Sequence, residues 1–223
     1  YQRKLCFSQK ECAWKQLLSK RCLLHFGAVD QQAVIYINGI EVTSHVGGYL
    51  PFTADITEYV SDSPCLLQVK VRDESDTSYF TRGKQTLKRG GMFYTAQSGI
   101  WQSVWYEWVP ENAVTDYRIT PDLDNRAVTV ELHSAKPFAA VSCKLYQAET
   151  FSGESAENVA EGIYGKREIS CQIAAANCIT TLTIQLSEKD LHLWSPENPF
   201  LYPLCITADE DVIHSYFAMR SFT

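Results

Sequence analysis

The stretch "AVIYINGIEVTSHV" (residues 33–46) constrains the fold more than any other. Two apolar runs flank Asn38-Gly39, and an Asn-Gly pair supplies the positive φ angles of a two-residue type I′ turn, so the segment is predicted to be a β-hairpin. The same two-residue period returns along the chain. "PCLLQVKVRDES" sets Leu67, Val69 and Val71 against Gln68, Lys70 and Arg72, the pattern of a half-buried antiparallel strand. "RAVTVELHS" and "CITTLTIQL" repeat it in the second half. Helical signals are confined to single turns: Asp55–Glu58 and Ser187–Asp190 each have the spacing of a capping box opening one short turn.

The expected class is therefore all-β. At 223 residues the chain exceeds one sandwich, since such folds use about 100 residues. "PENA" (residues 110–113) breaks the chain between two strands, and the charge balance changes there. Residues 1–110 carry twelve Lys/Arg against ten Asp/Glu, a net +2; residues 111–223 carry eight against sixteen, a net −8. Two sandwiches are expected, over 1–110 and 111–223. "SGESAENVAEG" (152–162) reads as a small polar loop. No apolar run approaches the roughly 18 residues of a membrane span. A mildly acidic chain without a basic stripe argues against nucleic acid as a partner. The opening "YQRKLCFSQK" has neither methionine nor an apolar signal core, so a processing boundary is expected there.

Eight cysteines fall four to each half, with no CxxC and no Cys/His pair at zinc spacing, so neither a metal nor another cofactor is expected. Most sit in apolar runs such as "RCLLHF" and "VSCKLY", where a free cysteine behaves as a small buried hydrophobe. That reading, preferred over an oxidised framework, places the protein in a reducing cytoplasm. "PDLDN" (121–125) begins like a calcium loop, but Arg126 and Ala127 stand where a ligand and the turn glycine are needed, which leaves a turn. The five histidines are isolated from one another and read as ordinary strand or loop residues.

Three segments are left to carry function. "GGMFYTAQSGIWQSVWYEWVP" (90–110) packs six aromatic side chains and three glycines into twenty-one positions. It is a sugar-stacking platform, a core strand, or a surface made to be covered. As one strand from Ile100 to Val109, it would put Ile100, Gln102, Val104, Tyr106 and Trp108 on one face and Trp101, Ser103, Trp105, Glu107 and Val109 on the other. Both faces are rich in rings. The core reading accounts for one, cover from a neighbouring domain for part of the other, and some rings between Phe93 and Trp108 are expected to stand exposed. "HVGGYLPFTADIT" (45–57) reads as architecture, with Tyr49 and Phe52 as anchors around Gly47-Gly48. "RGKQTLKRGG" (82–91) is a basic loop that is either solvated or able to clamp carboxylates.

"LLHFGAVDQQAVIYINGIEVTSHVGGYLPFTADIT", "LQVKVRDESD", "RGKQ" and "YTAQSGIWQSVWYE" together resemble the sugar-binding jelly-roll domain of family 2 glycoside hydrolases. "LHLWSPENPFLYPLCI" and "SYFAMRSF" resemble the immunoglobulin-like domain that follows it. The resemblance implies a galactose-binding-like jelly roll, then an immunoglobulin-like sandwich, in an enzyme whose catalytic barrel begins after "MRSF". It also implies that an earlier strand precedes the segment matching "YQRK". The parent would cleave a β-linked glycoside with retention, most readily a β-galactoside, with a β-glucuronide or β-mannoside as the alternatives. The two glutamates would lie in the barrel, so no catalytic residue is assigned here. The chain alone, without a carboxylate pair about 5 Å apart, is expected to be inactive. The stretch from "RGKQ" to "SGIW" would face substrate or barrel, which makes Arg82, Lys84, Gln85, Tyr94 and Trp101 the candidate contacts. Phe93 stands where well-known relatives place a carboxylate that reaches the active site, so that contact is not carried over. Thr81 replaces a usual proline and Ala218 a usual glycine. A free-standing carbohydrate-binding module and a purely structural or homo-oligomer-forming role are the competing readings.

Overall fold

The structure, a computed structural model, describes residues 1–147, 167–173 and 177–221. The polar loop read at 152–162 lies outside them. The chain divides into two compact units, Tyr1–Glu111 and Asn112–Thr223.

The first unit contains β1 (Gln2–Leu5), α1 (Gln9–Leu18), β2 (Arg21–Phe26), β3 (Val29–Asp30), β4 (Gln32–Ile37), β5 (Ile40–Val46), β6 (Phe52–Asp55), β7 (Cys65–Arg72), β8 (Gln85–Thr86), β9 (Tyr94–Thr95), β10 (Gly99–Ile100) and β11 (Val104–Val109). One sheet runs β1-β7-β4-β5 and another β11-β2-β6. The β4–β5 hairpin turns at Asn38 and Gly39, with φ of 53° and 82°, as the Asn-Gly pair requires. Its tip is tied down twice. Leu66 N–H donates to Asn38 Oδ1 at 2.7 Å, and Asn38 N–H donates to Leu66 O at 2.9 Å. On β7 the alternation buries Cys65, Leu67 and Val69 and turns Lys70 outward. Those residues join Leu24, Phe26, Ile35, Ile37 and Ile56 in one core. Phe52, read as an anchor, stacks on Phe26 at 4.8 Å and on His45 at 4.5 Å.

Two local expectations are corrected. Helical structure is not confined to single turns, because α1 runs for ten residues. Its start is a capping box at Ser8-x-x-Glu11: Ser8 N–H donates to Glu11 Oε2 at 2.7 Å, and Glu11 N–H to Ser8 Oγ at 3.2 Å. The run after it has no clean apolar stripe, which hides it from periodicity. The turn at Thr57–Tyr59 does form, but by a different device. Asp55 Oδ1 accepts from Thr57 N–H at 3.0 Å and from Thr57 Oγ1 at 2.5 Å, while Ile56 occupies the N-cap. Ser187 does occupy the N-cap of the turn Glu188–Asp190, and its hydroxyl donates to the Asp190 carboxylate.

The second unit contains β12 (Val114–Asp122), β13 (Ala127–Ser134), β14 (Val141–Gln147), β15 (Arg167–Ile173), β16 (Ile179–Gln185), β17 (Tyr202–Ala208) and β18 (Asp211–Phe217). The sheets β12-β13-β16 and β15-β14-β17-β18 share one core built on Val128, Val130, Leu132, Leu145, Leu204 and Ile206. Three strands against four is the layout of an immunoglobulin-like sandwich. "PDLDN" closes the β12–β13 hairpin as a turn. Asn125 donates from its backbone and its amide to Asp122 at 3.0 and 2.7 Å, and Arg126 takes φ 52°. Among the described residues the eight cysteines form no disulfide, and Cys12, Cys22, Cys65, Cys143 and Cys205 are buried. Burial pushes the thiols of Cys22 and Cys143 up to about 12.

Candidate functional site

The aromatic stretch is not one strand. It forms β10, a break at Trp101–Ser103, and then β11; β10 pairs with β3, whereas β11 pairs with β2. The break has a cause. Gly99 takes φ 110°, and the Trp101 indole leaves the ladder to donate from Nε1 to Gly48 O at 2.7 Å. Its ring meets Tyr49 edge-on at 5.8 Å, and a Cβ on Gly83 would lie 3.5 Å from the Tyr49 hydroxyl. The Gly47-Gly48 turn, Trp101 and the start of "RGKQ" therefore form one continuous surface. Tyr49 belongs to that surface as much as to the framework.

Beyond Gly83 the chain makes a second contact with the same stretch. β8 and β9 pair in parallel, with Gln85 opposite Tyr94. Tyr94 N–H donates to Lys84 O at 2.6 Å, and Gln85 Oε1 accepts from Gln97 N–H at 2.7 Å. Around these two-residue strands, carboxylates anchor the adjoining segments. Asp76 accepts from Leu87 N–H at 3.0 Å, and Asp73 accepts from Ser75 N–H at 2.7 Å and from Ser98 Oγ at 2.5 Å. Beside them Asp30 is buried. Burial first, and then the negative charge of Asp73, raises its carboxyl above the ordinary range. Sequence reasoning missed Asp30, Asp73 and Asp76. The Asp-x-Ser spacing in "RDESD" signals a local turn at Asp73, but nothing local announces the reach of Asp76 to Leu87.

The five candidate contacts are thus held on one loop-built surface through backbone and framework. Arg82 and Lys84 are exposed and Gln85 is half-buried, while Tyr94 and Trp101 are 69% and 52% exposed. Phe93 is exposed as well. Further along, Val104, Tyr106 and Trp108 stand opposite Phe26, Leu24 and Cys22, which makes theirs the inner face. Even so, Tyr106 is 40% exposed, with its hydroxyl donating to Glu11 at 2.9 Å. On the other face Trp105 stacks on His25 at 5.1 Å and remains exposed. The expected exposure of rings in this stretch is present. A separate cleft of about 540 Å³ lies between edge strands β1 and β11 over Leu24, Phe26, Leu67 and Val69. None of the five candidates lines it.

Chemically, the loop surface offers cations and aromatic faces rather than an acid and a base. Among the described residues no group of three or more His, Cys, Asp or Glu side chains could hold a metal ion. The break between units at Glu111/Asn112 coincides with a break in the family matches. The model described as "Glycosyl hydrolases family 2, sugar binding domain" covers residues 1–110, and that described as "Glycosyl hydrolases family 2" covers 112–220. Among curated relatives, a putative β-glucuronidase of Formosa agariphila is 25% identical over 218 residues, 96% of this chain and 24% of that protein. A β-galactosidase of Thermoanaerobacter pseudethanolicus is 24% identical over 208 residues, 88% of this chain and 25% of that protein. The β-glucuronidase of Ruminococcus gnavus, solved in complex with D-glucuronic acid, superposes with a TM-score of 0.65 at 19% identity. That match covers 99% of this chain and 36% of the other. The chain thus spans about a quarter of the length of the curated relatives it matches. From the two family matches, which follow one another along almost the entire sequence, the chain belongs to glycosyl hydrolase family 2, with the sugar binding domain at 1–110 followed by the immunoglobulin-like domain.

Proposed function

We infer that the two sandwiches are the non-catalytic N-terminal portion of a retaining glycosidase acting on a β-linked glycoside. In this reading the catalytic carboxylate pair belongs to a barrel elsewhere in the parent protein. The loop surface of Arg82, Lys84, Gln85, Tyr94 and Trp101 helps to wall the approach to that barrel. The observation that carries the reading is the succession of the two family matches over 1–110 and 112–220. The residues themselves agree with it. The loop supplies positioning chemistry, charge and flat apolar faces, and leaves bond cleavage to carboxylates held elsewhere.

A β-galactoside is the substrate expected from the motif resemblance, and a β-galactosidase is among the relatives. A specific observation favours a β-glucuronide instead. The candidate surface carries exposed cations, which pair with a uronate and gain little from a neutral hexose. The test offers nitrophenyl β-galactoside, β-glucuronide and β-mannoside to the parent enzyme and to the 223-residue chain alone. The parent is expected to turn over one of them and the chain none. Turnover by the purified chain would overturn the non-catalytic assignment; a parent inert toward the whole panel would overturn the glycosidase reading.

A further inference from the structure

From Thr77 to Tyr106 the chain contains four cations, Arg82, Lys84, Lys88 and Arg89, and no Asp or Glu. All four are exposed, and no salt bridge or hydrogen bond of their side chains occurs among the described residues. The nearby carboxylates are otherwise engaged: Asp76 holds the Leu87 amide, and Asp73 holds Ser75 and Ser98. The same segment carries large apolar side chains, also in water. Tyr79 is 91% exposed, and Leu87, Met92, Phe93 and Tyr94 are exposed with it. A merely solvated loop has no use for five such side chains, and a merely apolar interface has no use for four unpaired cations.

The loop is also braced before anything binds. The β8–β9 pairing, the Asp76 cap on Leu87, the Thr86 Oγ1 donation to Lys88 O at 2.8 Å, and Gly91 at φ 58° fix the path between the cations. A surface already ordered loses less entropy on binding.

We propose that this loop is a docking surface for a polysaccharide chain that carries uronate carboxylates. Arg82, Lys84, Lys88 and Arg89 pair with the carboxylates, while Tyr79, Phe93 and Tyr94 receive the apolar C–H faces of the sugar rings. The combination selects the partner. An acidic peptide would meet the charges and leave the rings idle, and a neutral glycan would do the reverse. The chain as a whole carries a formal charge of −6, so a polyanion gains attraction only where the field is locally positive. At physiological salt that field reaches about 8 Å. The inference rests on the reading of this unit as carbohydrate-facing, and deepens it from a β-linked glycoside at a barrel to an extended anionic glycan.

The test measures binding of the 223-residue chain to sodium polygalacturonate by calorimetry at rising NaCl. Neutral galactan and poly-L-glutamate serve as comparisons. Polygalacturonate is expected to bind more tightly than both, with affinity falling as salt rises. K88E/R89E and Y94A should each weaken it by about tenfold, whereas K4E/K70E, an equal charge change on β1 and β7, should not. The neutral K88Q/R89Q pair, on exposed positions, should lie between. Absence of binding, poly-L-glutamate binding as well as polygalacturonate, or equal loss in K4E/K70E would each overturn the proposal. If the parent cleaves a nitrophenyl glycoside while the chain ignores polygalacturonate, this inference fails and the glycosidase reading stands.

Discussion

Removing one oxygen from Tyr202 tests how the second unit is closed. The side chain is fully buried, stacked on Phe217 at 4.9 Å and met edge-on by Phe200 at 4.8 Å. Its hydroxyl donates to Asp190 O at 3.0 Å and accepts from His192 N–H at 2.5 Å, so it joins β17 to the connection that leads from β16. Tyr202→Phe keeps the ring contacts and deletes these two bonds, together with the longer hydroxyl contact to His192 O at 3.2 Å that shares the same proton. Each such bond is worth about 1 kcal/mol net, and an acceptor left buried without a partner costs about 1–3 kcal/mol. The expected loss is about 2 kcal/mol, or roughly 8 °C in Tm for a unit of this size. Differential scanning calorimetry at pH 7 measures it. The pH dependence supplies a second signature. Burial raises the Tyr202 phenol above the ordinary value of about 10, so the folded state keeps its proton where the unfolded chain has lost it. That contribution is fully present below about pH 10 and is lost as pH rises through the raised folded value. Tyr202→Phe lacks it, so the gap between wild type and variant should narrow above pH 10. A loss under about 0.5 kcal/mol at pH 7 would refute the reasoning, because the two bonds would then be replaceable by water.

Gly48→Ala should destabilise the first unit by about 1–3 kcal/mol, since the new Cβ would lie 2.4 Å from Oδ1 of buried Asp30. Because Gly48 O also holds the Trp101 indole, a shift in tryptophan emission should accompany the fall in Tm; unchanged stability would mean that Asp30 can retreat. Alkylation by iodoacetamide at pH 8, read by peptide mass spectrometry, should label exposed Cys6 and Cys178 first. Cys22 and Cys143, with pKa about 12, are ionised to about one part in ten thousand at that pH and should label only on unfolding.

Much of this was legible in the sequence, for an identifiable reason. Hairpins and turns are local: Asn38-Gly39 and the Asp122–Asn125 turn depend on residues within four positions of one another, and both appear as read. Alternation is also local, and it identified which side chains of β7 would be buried. Reading failed where a contact far along the chain decides. Ile100 to Val109 alternates well enough for one strand, but Gly48, some fifty residues earlier, takes the Trp101 indole and splits it. Asp76 likewise holds Leu87 across a loop in which neither residue signals the other. The capping box at Ser8 and Glu11 is the exception, a local signal overlooked because the run after it lacks an apolar stripe.

By itself the sequence determined the all-β class, the two sandwiches, the family, and the placement of cations and rings in the stretch from Arg82 to Trp108. Those follow from side-chain period, turn chemistry and motif order, all of which are written along the chain. Only the tertiary structure decided that Arg82, Lys84, Gln85, Tyr94 and Trp101 share one braced surface, and that its cations have no carboxylate partners among the described residues. Which residues meet across fifty positions depends on how the sheets and loops pack, and no local pattern encodes that distance.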